Sequence, residues 1–186
     1  MKIGVYGGTF DPVHHAHLIL ARAAAENLGL DKVLFVPAAR SPDKAAPAAP
    51  AGLRLEMLRT ALAGESLFEV EECELQRPAP SYTIDTIESL RQRYPGSELF
   101  FLLGDDNLAG LPQWRRFAEL KTMVGFVVLT RARTELKHDY LSVKRRIDIS
   151  STEIRERVAA GEPIRYLVPP AVEEMIRTQR LYREVK

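Results

Sequence analysis

One cysteine, Cys73, and one tryptophan, Trp114, stand in a chain of 186 residues. A lone thiol cannot build an internal disulfide framework, and such scarcity fits a reducing compartment. No apolar run is long enough to cross a bilayer, and no charged leader with an apolar core precedes the strand-like residues that begin at Lys2. Neither a membrane span nor a secretory signal is therefore expected, and the chain reads as cytoplasmic. Charge of one sign is also missing: 26 basic and 25 acidic residues leave a formal net charge of +1, so no global field favours nucleic acid or an anionic membrane. A basic cluster (Arg131, Arg133, Lys137, Lys144, Arg145, Arg146) carries only Glu135 and Asp139 among its members, and reads either as a solvated face or as a phosphate-facing one. Two common nucleotide signatures are absent as well. No Gly-Lys-Ser/Thr follows a glycine-rich turn and no Gly-x-Gly-x-x-Gly occurs, which argues against a P-loop kinase and a dinucleotide-dependent dehydrogenase.

What is present is ordinary globular composition, 46% hydrophobic and 27% charged, at a length suited to one domain. Apolar, β-rich runs recur at Ile3–Tyr6, Val33–Val36, Leu67–Val70, Leu99–Leu103 and Val124–Leu129. Helix-like segments at Ala16–Leu28, Leu53–Ala63, Thr83–Tyr94 and Trp114–Leu120 separate most of them. Strands apolar on both faces that alternate with helices predict an α/β fold, a Rossmann-like doubly wound parallel sheet. The last part, from about Ile149, changes character: Ser-Ser-Thr before Glu153 predicts a helix start, and Pro170–Arg180 reads as a final helix. One domain over 1–186 with a small helical C-terminal portion is the expected organisation. Pro37–Gly52, rich in Ala and Pro, has neither period and reads as a mobile loop beside the site or as a plain spacer.

The chemistry concentrates after the first strand. Gly7-Gly8-Thr9-Phe10-Asp11-Pro12-Val13-His14-His15-Ala16-His17 is a glycine bend followed by a helix start, where backbone N–H groups attract anions. His14 and His17, three apart, share one face of that turn, and His15 points elsewhere. The pair lacks the second-ligand spacing and glutamate of a helical zinc motif, and no cysteine cluster completes a tetrahedron, so no metal-ligating residues are assigned. Contact with a phosphoryl group is the chemistry that remains. The second constellation is Ile149-Ser-Ser-Thr-Glu-Ile-Arg155, in which Arg155 lies one turn beyond Ser151 and Thr152 and can meet the same anion.

Together these motifs resemble the nucleotidylyltransferase superfamily, and more closely the bacterial nicotinate-nucleotide adenylyltransferases. Supporting stretches are Val36-Pro37, Ser81-Tyr-Thr-Ile-Asp-Thr86, Gly104-Asp-Asp106, Leu111-Pro-Gln-Trp114 and the closing Val-Pro-Pro…Gln-Arg-Leu-Tyr182. The resemblance implies adenylyl transfer: the phosphate of nicotinate mononucleotide attacks the α-phosphorus of ATP and expels pyrophosphate, with no covalent enzyme intermediate. It implies that His14, His17 and Arg155 carry the catalysis. Gly7, Gly8, Thr9, Phe10, Gly104, Asp106, Ile149, Ser151 and Thr152 join them on the ATP side, where Mg²⁺ arrives with the nucleotide. Thr9, Phe10, Lys44, Tyr82, Thr83 and Trp114 are implied on the mononucleotide side. Neither nucleic acid nor membrane is implied as a partner, and a homo-oligomer is compatible with the family.

The sequence departs from the family pattern at Ala16, where glycine is usual, at Asp43, where histidine often precedes the loop lysine, and at Thr130-Arg-Ala-Arg133. The added methyl of Ala16 is expected to crowd the adenosine side. Several of these residues also have plainer readings: Trp114 as a core anchor, Asp105 or Asp106 as a helix cap, Ser81–Thr86 as an N-cap, Cys73 as a structural thiol. Other enzymes of the superfamily, pantetheine-phosphate adenylyltransferases and cytidylyltransferases, are the alternatives, as is a catalytically silent nucleotide binder.

Overall fold

The computed structural model describes residues 1–42, 45–130 and 138–183. Its centre is a six-stranded sheet, built from β1 (Lys2–Gly8), β2 (Lys32–Pro37), β3 (Phe68–Val70), β4 (Glu98–Gly104), β5 (Gly125–Thr130) and β6 (Leu141–Lys144), in the order β3-β2-β1-β4-β5-β6. Every neighbouring pair is parallel. Parallel pairing needs a crossover between strands, and helices α1 (His15–Leu28), α2 (Ala51–Leu62), α3 (Thr83–Arg93) and α4 (Phe117–Met123) supply most of these. The chain winds outward in one direction from β1 and in the other from β4. The order therefore reverses between these two strands, whose register sets Ile3 beside Leu99 and Tyr6 beside Leu102.

Alternation along the strands divides the core. Ile3 and Val5 face the layer holding Ile84, Ile87, Leu90 and Leu120, from α3 and α4. Tyr6 faces the other layer, with Leu20 of α1, Met57 of α2, Ile154 of α5 (Ser151–Ala159) and Ile176 of α6 (Pro170–Thr178). Both faces of the sheet are thus covered, as a doubly wound α/β sheet requires. The alanine-rich face of α1 (Ala16, Ala21, Ala23, Ala24, Ala25) is buried, and the helix ends at Gly29, whose left-handed φ of 62° lets its N–H reach the carbonyl of Ala25.

Two elements differ from the pattern read in the sequence. β6 gives no apolar run because only Val143 of its four residues is buried, as suits an edge strand. α4 begins at Phe117 and not at Trp114: Trp114 is extended, and Arg116, at φ 53°, turns the chain before the helix starts. Among the described residues no helix is long and apolar enough to cross a membrane.

Candidate active site

Two cavities open beyond the carboxyl ends of β1 and β4, where the strand order reverses, the usual ligand position in open α/β sheets. One, of about 490 Å³, is lined by the histidine turn and the start of α5. The other, of about 360 Å³, lies against the start of α3 and the Trp114 turn. Gly7, Gly8, Thr9 and Asn107 line both, so the glycine bend forms the boundary where the two meet. Glycine is needed there: a Cβ on Gly8 would stand 2.9 Å from the Phe10 ring. Across the cleft, a Cβ on Gly104 would stand 2.3 Å from a carboxylate oxygen of Asp106.

In the larger cavity His14 is the extended residue before α1, 1% exposed, and its backbone N–H donates to Nδ1 of His17 at 3.2 Å. The two imidazoles stack with centroids 3.7 Å apart. Phe10 and Tyr6 also make edge contacts with the His17 ring. His15 lines neither cavity, and its N–H donates to the Leu167 carbonyl at 3.0 Å. Ser150 caps α5 by accepting the Glu153 N–H, which leaves the next two hydroxyls for other tasks. Ser151 donates to the Pro12 carbonyl (2.9 Å), and Arg155 donates to the Asp11 carbonyl (2.8 Å) and to the Thr152 hydroxyl (3.2 Å). The distant Ser-Ser-Thr-x-x-Arg segment is therefore bonded directly onto the Asp11-Pro12 turn.

Gly7, Gly8, Thr9, Phe10, Gly104, Asp106, Ser151, Thr152 and Arg155 all line this cavity with the two histidines. Ile149 does not; it packs against the core. Ala16 lies in the fully buried core and on neither cavity wall, so its methyl does not crowd the site. Asp105 and Asp106 cap no long helix: they sit within a single 3-10 turn, Asp105–Asn107, whose N-cap is Gly104.

Tyr82, Thr83 and Trp114 line the smaller cavity, with Thr9 on the shared wall; Phe10 borders only the larger one. The N-cap of α3 is Tyr82 with no side-chain capping bond, so the first N–H groups of that helix are not taken by a cap. Ser81, read as a capping candidate, instead accepts the Ala39 N–H at 3.1 Å and ties the turn after β2 to this cavity. Trp114 meets Phe101 edge-on at 5.6 Å and also lines the cavity, so core anchor and cavity wall are both its roles. Glu74 lines it too; burial pushes its carboxyl pKa up, opposed by hydrogen bonds from Thr86 (2.6 Å) and Ser81. Lys44 and Asp43, and Arg131, Arg133 and Lys137 of the basic cluster, lie outside the described residues. Cys73 is buried, and its thiol is pushed up to about 12 by that burial, so it stays protonated.

Three residues to which sequence reasoning gave no role of their own, Asp11, Arg54 and Tyr182, knit the turn together. Asp11, 4% exposed, accepts the N–H groups of Ala48 (2.6 Å) and Ala49 (3.1 Å) and the hydroxyl of Tyr182 (2.7 Å). Arg54 donates to the carbonyls of Thr9, Ala38, Ala39 and Ala49. A signal for Arg54 exists in the sequence: it is the one charged residue on the face of α2 that carries Met57 and Leu58, three and four positions on. Nothing comparable marks the partnership of Asp11 and Tyr182.

Known proteins resemble this chain over nearly its whole length. Residues 5–157 match the family model described as "Cytidylyltransferase-like". The chain is 43% identical, over 97% of its length and 92% of the relative's, to a protein of Methylacidiphilum infernorum named "Probable nicotinate-nucleotide adenylyltransferase". It is 44% identical to a protein of the same name from Thermus thermophilus, covering 98% of this chain and all of that one. Among solved structures, the nicotinic acid mononucleotide adenylyltransferase of Plasmodium falciparum, complexed with NaAD, superposes with a TM-score of 0.83 at 19% identity, over 97% of each chain.

Proposed function

The chain belongs to the cytidylyltransferase-like family, and from that premise we propose that it is a nicotinate-nucleotide adenylyltransferase, joining ATP to nicotinate mononucleotide in NAD biosynthesis. The observation that carries this reading is the meeting of two cavities at Gly7, Gly8 and Thr9: one edged by histidines, hydroxyls and Arg155, the other by a helix start and an indole. A nucleotide in each would bring its phosphate to the same glycine bend. An oxygen of the mononucleotide's 5′-phosphate attacks the α-phosphorus of ATP, a new P–O bond forms, and the bond to the β-phosphate's bridging oxygen breaks. The electron pair leaves with pyrophosphate.

The substrate brings its own nucleophile, so the protein's work is alignment and charge stabilisation. His17 accepts the His14 N–H at Nδ1, so its neutral ring carries the proton on Nε2, a donor for the ATP phosphates. His14 lies against it as the second contact. The leading N–H groups of α5 at Ser151 and Thr152, with the Arg155 guanidinium, hold the departing β- and γ-phosphates, aided by the helix dipole. Asp106 accepts from ribose hydroxyls beside Gly104. Mg²⁺ bound to the nucleotide would offset the charge that develops on its phosphates. Among the described residues no group of three His, Cys, Asp or Glu side chains is arranged to hold a metal by itself.

On the acceptor side, the leading N–H groups of α3, near Tyr82 and Thr83, receive the nicotinate carboxylate, and Trp114 offers its face to the pyridine ring. Lys44 belongs to this side by family likeness. Pyrophosphate release with ATP and Mg²⁺ tests the reading, with nicotinate mononucleotide, nicotinamide mononucleotide and phosphopantetheine compared as acceptors. Strong preference for nicotinate mononucleotide is expected. Preference for phosphopantetheine, or no turnover with any acceptor, refutes it.

A further inference from the structure

We propose that Arg54 is a positioning residue for the transfer, one whose guanidinium sets how the two cavities face each other; this rests on the function proposed above. β1 and β2 run paired as far as Gly8 and Pro37, and the last backbone rung is the Ala38 N–H to the Gly8 carbonyl, 2.9 Å. Beyond that rung the chains part. Thr9 leads towards the histidine turn, and Ala38 and Ala39 lead along the acceptor cavity. Arg54 fills the fork. Its Nη1 donates to the carbonyls of both Thr9 (2.7 Å) and Ala38 (2.9 Å), one from each diverging chain. Nε reaches the Ala49 carbonyl (3.2 Å), just after the loop that walls the ATP cavity at residues 45–48, and Nη2 reaches Ala39 (3.4 Å). A single planar group thus touches backbone belonging to both cavities while lining neither.

Arg54 is 1% exposed, on a helix face shared with Met57 and Leu58, where an apolar residue would pack but would leave these four carbonyls without their donor. Burial lowers its pKa, and the charge of Asp11 works in the opposite sense. That carboxylate is itself engaged by Ala48, Ala49 and Tyr182, so Arg54 is left to spend its donors on carbonyls. Holding two reactants in register makes their reaction effectively unimolecular. Thr9 lines both cavities, and Arg54 holds its carbonyl.

Arg54→Lys keeps the charge but has one nitrogen on a flexible stem, which cannot span four carbonyls. We would measure kcat for pyrophosphate release, the Kd of a non-hydrolysable ATP analogue alone, the Kd of nicotinate mononucleotide alone, and Tm. The expected result is a kcat reduced by at least about tenfold with each separate Kd within roughly threefold of the parent, the signature of lost alignment. A kcat per folded molecule within about twofold of the parent, with Tm alone lowered, overturns the proposal, as does a loss confined to one Kd. Should the lysine variant not fold, Arg54→Gln, which has no charge to bury, is judged by the same criteria. If the parent turns over another acceptor than nicotinate mononucleotide, only the proposed function fails and the ratio is taken on that acceptor. No turnover with any acceptor overturns both.

Discussion

The imidazole of His17 lies 3.7 Å from that of His14, and the bond that sets this spacing runs from the backbone of one residue to the ring of the other, His14 N–H to His17 Nδ1. The pair is consequently a feature of the helix start itself and not of two independent side chains. His14 holds His17 in one tautomer, and Phe10 and Tyr6 hold the plane of its ring.

Under the proposed function the His17 ring is a preorganised donor at the phosphates. His17→Ala should lower kcat by on the order of a hundredfold or more, with a smaller change in KM for ATP. Steady-state kinetics of pyrophosphate release checks this, and an unchanged kcat would deny His17 its role.

Trp114 has two attachments, one to Phe101 in the core and one to the acceptor cavity. Under the proposed function the ring contributes ground-state binding, so Trp114→Ala should raise KM for the mononucleotide by on the order of tenfold while kcat changes less. An effect seen only in thermal unfolding would assign the residue to the core alone.

Glu74 gives a pH signature. Burial raises its native pKa above the ordinary 4.5, so the native state favours the protonated form. Its contribution to stability is then fully present below the unfolded value and is lost as pH rises through the raised native one. Glu74→Gln keeps hydrogen-bonding capacity towards Thr86 and Ser81 and has nothing to ionise. The Tm of the variant should therefore gain on that of the parent as pH rises above the ordinary 4.5. A gap that stays constant or narrows with pH would contradict the assignment.

Tyr182 reaches back across the whole chain to donate its hydroxyl to Asp11 at 2.7 Å. Tyr182→Phe deletes only that oxygen, and the loss of a hydrogen bond to a charged group should cost about 1.5–3 kcal/mol. Urea unfolding measures it directly. If the loss is nil, water serves Asp11 equally well and the C-terminal segment is held by packing alone.

Much of the architecture was legible because apolar periodicity is local. The runs at Ile3–Tyr6, Val33–Val36 and Leu99–Leu103 each fall within an observed strand, since a strand buried on both faces must be apolar throughout. β6 escaped because an edge strand with one buried residue leaves no such trace. The start of α4 was displaced because Arg116 adopts a positive φ that its residue type does not announce.

For the site, the sequence by itself determined the chemical groups: a glycine bend, two histidines after it at a spacing that shares a helix face, and a hydroxyl run with an arginine one turn on. Side-chain identity and short spacing are enough for that. Tertiary structure alone decided what those groups rest upon. Arg155 on the Asp11 carbonyl, Ser151 on the Pro12 carbonyl and Arg54 on the Thr9 carbonyl are contacts to backbone across long stretches of chain. Every residue type offers a carbonyl, so no residue pattern records which one is chosen. Only the folding of β1, α2 and α5 onto one end of the sheet makes the choice.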